Sequence, residues 1–548
     1  MVVIGYYHSQ GVIYDSRGHA TPVFGLADIL ESFLESFDQP GQTTWKLAWD
    51  IDDLVIPVLR LMDKELLQTL GETERCEFYA QPRNGPVRRY RLWYPRNQGV
   101  GQAFGITNKS EQRETMIWHL GSFMPDGMPP PDDAIDVELY GRKILSIFAK
   151  RLGYQPLPGS FFSPVNVVKP YLQRMSLPKL ADLPPKVANY ASKCMSPPWV
   201  EAHQLGYFDN AFDYDLSNAY STILRDLPDW RLGTWAEGAD YQAKAMMGYC
   251  CCNINIDPKV TLHPIITEQD DGLVVCGTGP QKETYRTKAQ IDFIRSRKLG
   301  TVEILDGVWW FPSTLHPIRQ PLKTVISRLT RQRNDMEWDE KPVDRMLGRY
   351  EAKKAMVGMW GYTARWDWEN DKEPDEFYNP PWAAEITTRI PLKVAAFIYR
   401  KHLVDNVINI AVDGFPSDRE AELTPEDIAQ GWKLSETGPT LVMSRNHAWL
   451  GTKRPEGLQL GQVMQLIGLG HKARNSLWVH KFNRQATLGD CMQRGDLGLL
   501  GETIECQSTL HVKQDHNRVF AKGPKTGRDL LTHRYRSKPF EIKEESHG

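Results

Sequence analysis

The spacing of apolar and polar positions divides the chain into alternating strands and helices. Near the N-terminus, short apolar runs predict strands and helical periodicity predicts helices, with strands over residues 2–7, 11–14 and 46–50 and helices over residues 26–37, 54–70 and 138–152. This alternation predicts an α/β layout. Farther along, residues 321–333 and 343–360 predict a helical hairpin around a polar break, and the chain after residue 452 is expected to be helix and loop.

Two predicted strands end in an aspartate. Residues 212–216 are a mostly apolar run with Asp215 at the tip, followed by a polar, tyrosine-bearing stretch. Residues 407–412 are a second apolar run, followed by Asp413 and Gly414. By itself Asp215 could be a helix N-cap, and Asp413 with Gly414 could be an ordinary β-turn. Together with a lysine on the second predicted hairpin helix, Lys353, they form the trio that a nucleotidyl transferase needs.

Composition sets limits on class and partners. A chain of 548 residues predicts several domains, and a net charge of -2 with pI near 6.7 excludes a globally basic surface. Residues 513–538 hold eight Lys or Arg against two acids, a local balance of +6. This run is either a solvated basic face or a track for a phosphate backbone.

The cysteine spacing indicates a reducing environment, and the hydropathy pattern indicates a chain without membrane spans. The eight cysteines lack the spacing of a disulfide framework or of a CxxC zinc site. We find no signal-peptide pattern and no run of 18 apolar residues in the sequence. We therefore expect a soluble, intracellular, cytoplasmic protein without a membrane partner, and a monomer.

Three motifs, taken in order, resemble those of family B DNA polymerases. The first palm motif of that family, an Asp followed by Ser-Leu-Tyr-Pro-Ser, is similar to residues 215–223, which read DLSNAYSTI. Its fingers motif, a Lys followed by Asn-Ser-x-Tyr-Gly, resembles residues 353–361, which read KKAMVGMWG. Its Asp-Thr-Asp motif resembles residues 411–413, which read AVD and keep only the second aspartate.

The resemblance implies a fold and a set of site residues. The fold would be α/β and multidomain, an RNase H-like N-terminal domain followed by a right-hand polymerase with palm, fingers and thumb. Asp215, Asp413 and the Leu216 carbonyl would hold two Mg²⁺, with Mn²⁺ as a substitute, and Lys353 would be catalytic. Nucleotide binding would fall to Leu216, Ser217, Tyr220, Arg333, Lys353 and Trp360, with Tyr220 excluding a ribose 2′-hydroxyl, and DNA binding to Gly361, Arg445 and His447. Lys522 and Lys525 of the basic run are further candidates for DNA binding because of their charge.

The same resemblance implies domain boundaries and a degenerate exonuclease domain. The expected segments are an exonuclease-like domain over 1–165, a linker over 166–211, palm over 212–316 and 362–450, fingers over 317–361, and thumb with a basic tail over 451–548. The first strand lacks the acidic residues that the family's 3′-5′ exonuclease has there. Residues 49–53 are similar to the second exonuclease motif, and Tyr140 with Ile144 is similar to the third. Ile144 stands where that motif has Asp, so proofreading is predicted to be absent.

The functional expectation is a DNA-directed DNA polymerase, of phage, plasmid or mobile-element type, that acts on primer-template DNA and dNTPs. Any further replication or priming partner stays open. The main alternative is an inactive polymerase-derived DNA-binding or regulatory protein. The joint presence of Asp215, Asp413, Lys353 and Tyr220 favours the enzyme, because a pure binder has no need of that set. An unrelated α/β hydrolase is a weaker alternative, since the sequence has no GxSxG motif.

Overall fold

The chain forms two compact units, each assembled from separate stretches of sequence. The computed structural model describes residues 2–35, 44–97, 100–125, 128–152, 166–268, 274–334, 342–364, 374–451, 458–468, 477–511, 517–524 and 527–542. The first unit comprises Met1–Met175, Ser327–Met359 and Lys481–Cys506, and the second comprises Ser176–Ile326, Trp360–His480 and Gln507–Gly548. Among the described helices, none has the length and apolar character that crossing a membrane requires.

The N-terminal part of the first unit is built on one sheet of eight strands. Its elements are β1 (Val2–Ser9), β2 (Val12–Asp15), β3 (Ala20–Pro22), α1 (Leu26–Leu34), β4 (Thr44–Ala48), α2 (Ile51–Leu59), α3 (Lys64–Thr73), β5 (Arg75–Ala80), β6 (Arg88–Trp93), β7 (Arg96–Asn97), β8 (Val100–Gly101), β9 (Ala103–Asn108), β10 (Arg113–His119), α4 (Ala134–Leu152) and α5 (Lys169–Gln173). The strand order is β3-β2-β1-β4-β10-β9-β6-β5. Strand β4 pairs in parallel with β1 and with β10, and the other neighbours pair antiparallel. The alternating strands and helices of the prediction therefore form a mixed sheet.

One predicted helix of this part is wrong. Residues 54–70 form two helices, α2 and α3, because the Asp63 side chain accepts a hydrogen bond from the Leu66 amide at 2.9 Å and so starts a new helix.

The middle of the chain carries the long helices, two larger sheets and the two-stranded sheet β15-β16. Its elements are α6 (Pro185–Lys193), β11 (Val200–Ala202), β12 (Gln204–Leu216), α7 (Ala219–Asp226), β13 (Gly233–Glu237), β14 (Met247–Ile256), β15 (Thr267–Glu268), β16 (Val274–Val275), β17 (Gly279–Thr287), α8 (Lys288–Arg297), β18 (Gly300–Pro312), α9 (Lys323–Asn334), α10 (Pro342–Ala364), α11 (Pro380–Arg400), β19 (Asn409–Ala411), β20 (Gly414–Ser417), α12 (Pro425–Ala429), β21 (Trp432–Ser444), β22 (His447–Leu450) and α13 (Leu460–Gly468). One antiparallel sheet of the second unit has the order β11-β19-β20-β12-β21-β22, and a four-stranded sheet has the order β13-β18-β14-β17.

The chain after residue 452 contains strands, so the expectation of helix and loop alone is wrong. Beyond α13 it forms β23 (Leu477–Gln485), α14 (Leu488–Arg494), β24 (Thr503–His511), β25 (Arg518–Phe520), α15 (Gly527–Thr532) and β26 (Tyr535–Pro539). In β26 charged and half-buried residues alternate, but few of them are apolar, so the period of two is hidden from a hydrophobicity pattern.

The stretch around α14 belongs to the core of the first unit. Ala486, Leu488, Cys491, Leu500 and Ile504 are buried in the same apolar cluster as the helices α1, α2 and α3. A methyl group at Gly71 of α3 would meet Met492 Cγ at 2.5 Å, so the two helices approach closely at this glycine.

The C-terminal strands complete the main sheet of the second unit through a buried arginine. Strand β26 pairs with β12 and with β25. Arg518, whose side chain is 1% exposed, donates to Glu201 Oε2 at 3.1 Å, to the Thr261 carbonyl at 3.1 Å and to Ser537 Oγ at 2.7 Å. Part of the basic C-terminal run is therefore structural.

Two neutral histidines adjoin this ion pair. Burial and the positive charge of Arg518 lower the pKa of His203 to about 4, and burial lowers the pKa of His263 to about 4 as well. Burial would raise the pKa of Glu201, but Arg518, His203 and Trp199 outweigh it and lower the pKa to about 2. The cluster is thus charged at Glu201 and Arg518 and neutral at both histidines near pH 7.

Candidate active site

Asp215 lies near the end of β12, a strand of 13 residues in the main sheet. Strand β12 runs to Leu216, with Tyr214 fully buried and the Asp215 side chain 32% exposed. Asn218 then takes a left-handed conformation with φ of 56° and begins helix α7. The predicted strand with a carboxylate at its tip is present, and Asp215 is not the cap of that helix.

Asp413 lies in the tight turn between β19 and β20, next to Asp215. The turn is held by hydrogen bonds from the Val412 amide to the Trp199 carbonyl at 2.8 Å and from the Asp413 amide to the Ala411 carbonyl at 2.9 Å. Val412 has a φ of +63°, which is strained for a β-branched residue. The Asp413 carbonyl accepts from the Leu216 amide at 3.0 Å, so a main-chain bond joins the two motifs.

Gly414 makes this approach of the two strands possible. It is the register partner of Asp215, and a methyl group there would lie 2.9 Å from the Tyr214 carbonyl oxygen and 3.5 Å from Asp215 Oδ1. Any larger residue would therefore push the turn away from the Asp215 carboxylate.

A cavity of about 620 Å³ brings three carboxylates and a cation together. Asp213, Asp215 and Asp413 line it from β12 and the β19–β20 turn, and Arg445 and Asn446 line it from the β21–β22 turn. Of the predicted site residues, Asp215, Asp413 and Arg445 thus share one cavity. Asp213 was not predicted, although it lies two residues before Asp215 and so on the same face of the strand.

Lys433 is the second functional candidate that the sequence did not indicate. Strand β21 places it directly opposite Asp215, and its Nζ lies 3.0 Å from Asp215 Oδ2. The two residues are 218 positions apart, and their pairing depends on a strand register that the sequence does not reveal.

Tyr220 forms a flat aromatic surface beside the cavity. Its ring stacks on that of Trp360 with a centroid distance of 4.8 Å and an interplanar angle of 30°. Burial and the negative charge of Asp413 raise the pKa of Tyr220 to about 12, so its hydroxyl is protonated and lies in the field of that carboxylate. The nucleotide-binding role predicted for Tyr220 and Trp360 stays a prediction.

The predicted triphosphate-binding cations lie on the helical hairpin. Helices α9 and α10 run antiparallel, with Arg349 Nε donating to the Arg333 carbonyl at 3.2 Å and Thr330 Oγ1 to Met356 Sδ at 3.5 Å. Lys353 is exposed on α10. Arg333 and Lys353 belong to the first unit, while the carboxylates belong to the second, and their role stays a prediction.

The remaining predicted residues fall at different places in the second unit. Ser217 donates its amide to the Gly431 carbonyl at 2.9 Å, and Gly361 is half-buried next to Trp360. His447 contacts Ser444 Oγ through Nδ1 at 3.0 Å and stacks on Trp449 at 6.1 Å. Lys522 is exposed in the loop after β25. Lys525 lies outside the described residues.

The donors around Asp215 suit a hard divalent cation. The carboxylates of Asp215 and Asp413 supply oxygen ligands of the kind that Mg²⁺ prefers, and the absent side chain of Gly414 leaves space beside Asp215 Oδ1. Among the residues described, no group of three or more His, Cys, Asp or Glu forms a preassembled metal site. A bound ion would therefore draw further ligands from the main chain, water or a substrate phosphate.

The N-terminal sheet has a separate cavity of about 830 Å³ lined by the predicted exonuclease remnants. Tyr6 and His8 of β1 line it together with Asp50, Asp53 and Asp132. Asp50 caps α2 by accepting from the Asp52 amide at 2.9 Å, and burial with the neighbouring Asp50 carboxylate raises the pKa of Asp53. Asp52 accepts from the Tyr94 hydroxyl, and Ile144 of α4 is buried.

No protein-family model matches the chain, and no curated protein matches its sequence significantly. Among solved structures, the Phi29 DNA polymerase complexed with primer-template DNA and incoming nucleotide substrates gives a TM-score of 0.54 at 10% identity, covering 93% of this chain and 100% of that one. Its binary complex with primer-template DNA gives 0.54 at 9% identity, over 93% and 99%.

A third structure agrees with these two. The orthorhombic form of Phi29 DNA polymerase gives a TM-score of 0.51 at 10% identity, covering 83% of this chain and 88% of that one. Identities this low concern the fold alone. The fold of this chain, of mixed α/β content, thus resembles that of Phi29 DNA polymerase.

Proposed function

We propose that the protein is a DNA-directed DNA polymerase. The observation that carries this proposal is the pairing of Asp215 and Asp413 at neighbouring strand ends, linked by the Leu216–Asp413 main-chain bond and lining one cavity. The fold likeness to a polymerase solved with primer-template DNA and nucleotides supports primer-template DNA and dNTPs as partners. In this proposal the N-terminal domain is RNase H-like, followed by palm, fingers and thumb, and the protein acts as a monomer.

Asp215, Asp413 and the Leu216 carbonyl would hold two Mg²⁺, or Mn²⁺ in their place. When bound, these ions supply activation of the primer 3′-hydroxyl and neutralisation of the pyrophosphate leaving group. The rigid turn around Gly414 keeps the two carboxylates at fixed strand ends, so that their positions do not have to reorganise during transfer.

The remaining residues would bind and orient the substrates. The stacked pair of Tyr220 and Trp360 offers a flat surface against which a deoxyribose fits and a ribose 2′-hydroxyl collides. Arg333 and Lys353 would bind the triphosphate, with Ser217 beside it. Arg445 at the cavity and His447 behind it would contact the DNA backbone, together with Gly361, Lys522 and Lys525.

Proofreading is absent in this proposal. Tyr6 and His8 occupy the strand that carries acids in the exonuclease of the family, and Asp50 and Asp52 are engaged in a helix cap and with Tyr94. Excision of a mismatched 3′ end in Mg²⁺ or Mn²⁺ would show this part of the proposal to be wrong.

The test is extension of a labelled primer-template by dNTPs and by rNTPs in Mg²⁺. Wild type should extend with dNTPs, whereas Asp215→Asn and Asp413→Asn, which keep the side-chain shape and remove the charge, should not. Asp405→Asn, at an exposed position in the same unit, is the matched control. Intact DNA binding without extension in either metal, unchanged in both variants, would favour the inactive DNA-binding protein instead.

A further inference from the structure

Lys433 is held against the Asp215 carboxylate by the structure of its own strand. Residues directly opposite in an antiparallel pair point to the same face of the sheet, so the two side chains meet there. The chain that leads into Lys433 is anchored at the start of β21. Gly431 accepts from the Ser217 amide at 2.9 Å, and buried Trp432 stacks on Phe397 with a centroid distance of 4.1 Å.

The pair is accessible and therefore exchangeable. The Lys433 side chain is 49% exposed and that of Asp215 is 32% exposed, while Nζ lies 3.0 Å from Oδ2. An ion pair with this exposure is weak, so another cation can replace the ammonium group. The charged residues that line the cavity together with Asp215 are Asp213, Asp413 and Arg445.

We propose that Lys433 is a resident counter-cation that competes with the divalent metal for Asp215 and so sets the metal requirement of the site. A divalent ion on Asp215 Oδ2 either displaces the ammonium group or is repelled by it at close range, and both effects weaken metal binding. Lys433 therefore acts on the metal through the Asp215 carboxylate, as a positioning residue, and does not itself bind the metal. The inference rests on the proposed function in one respect, that Asp215 is a metal ligand.

The experiment measures Mn²⁺ binding to the full-length protein without DNA or nucleotide, by the electron paramagnetic resonance signal of free Mn²⁺. Lys433→Met should tighten Mn²⁺ binding by about threefold to tenfold. The substitution removes a positive charge next to Asp215 that solvent screens only in part. The gain should shrink as KCl is raised. Lys433→Arg should keep the wild-type affinity, and so should Lys259→Met, which removes the same charge from an exposed position away from the cavity.

Asp215→Asn separates the two ways in which the inference can fail. If Asp215→Asn weakens Mn²⁺ binding while Lys433→Met binds like wild type, the inference about Lys433 is wrong and the metal site stands. If Asp215→Asn binds Mn²⁺ like wild type, the metal site of the proposed function and the inference are both wrong. In primer extension, the half-saturating Mg²⁺ concentration of Lys433→Met should fall by the same factor as its Mn²⁺ affinity rises.

Discussion

The histidines beside the Glu201–Arg518 pair make the second unit sensitive to mild acid. His203 and His263 are buried, and in the folded chain the pKa of each is about 4. In the unfolded chain a histidine titrates near 6.5. Because the folded pKa is depressed, the unfolded chain binds more protons between these values, so stability is fully present above about pH 6.5 and is lost as the pH falls toward 4.

The size of the effect follows from the two pKa values. At about pH 5, each histidine lowers the free energy of unfolding by about 2 kcal/mol relative to neutral pH, and the two together by about 4 kcal/mol. The slope there corresponds to about 1.8 protons taken up on unfolding, or about 2.4 kcal/mol per pH unit. Glu201 adds little at about pH 5, since its pKa of about 2 in the folded chain and the unfolded value near 4.3 both lie below that pH.

Urea unfolding followed by circular dichroism at several pH values between 7 and 5 measures this slope. In the variant with both His203→Gln and His263→Gln, the slope should correspond to nearly two fewer protons taken up on unfolding. This holds whatever the absolute stability of the variant. His316→Gln, an exposed histidine of the same unit, is the control and should leave the slope unchanged. An equal slope in wild type and in the double variant would refute the assignment of neutral buried histidines.

Three further predictions concern single side chains. Arg518→Met should lower the free energy of unfolding by about 3–5 kcal/mol in urea denaturation, because it leaves Glu201 buried without its cation, and adding Glu201→Gln should restore part of the loss. Tyr220→Val should raise the use of rNTPs relative to dNTPs by at least about tenfold in single-turnover extension, with little change in DNA affinity. Lys353→Ala should raise the KM for dNTPs in steady-state extension by at least about tenfold, while Lys354→Ala, whose ammonium group lies 4.9 Å from the Tyr350 ring, should stay near wild type.

The sequence was sufficient to find Asp215 and Asp413 because each follows a local apolar run that ends abruptly. Such a signal needs only neighbouring residues, and the structure has both at strand ends in one sheet. The mixed α/β fold could be predicted for a similar reason, since helical and extended periodicities are local properties.

What the sequence missed depends on contacts between distant residues. Lys433 faces Asp215 only in one strand register, and Arg518 looks like any other cation of a basic run until its partner Glu201, more than 300 positions earlier, is known. Arg534 likewise lies over the Phe208 ring at 4.6 Å. The strands β23 to β26 were missed because charged and aromatic residues conceal their alternation.

The placement of Lys481–Cys506 in the first unit has a consequence for synthesis of the chain. The core that Met1–Met175 begins is completed by Leu488 and Cys491, which leave the ribosome about 315 residues after residue 175. At 5 to 20 residues per second this interval is roughly 15 to 65 s. During it, the apolar surface of α3 lacks the α14 residues that pack against it in the folded protein. The N-terminal part of this protein must therefore finish folding after translation of most of the chain, and chaperone protection should matter most in that interval.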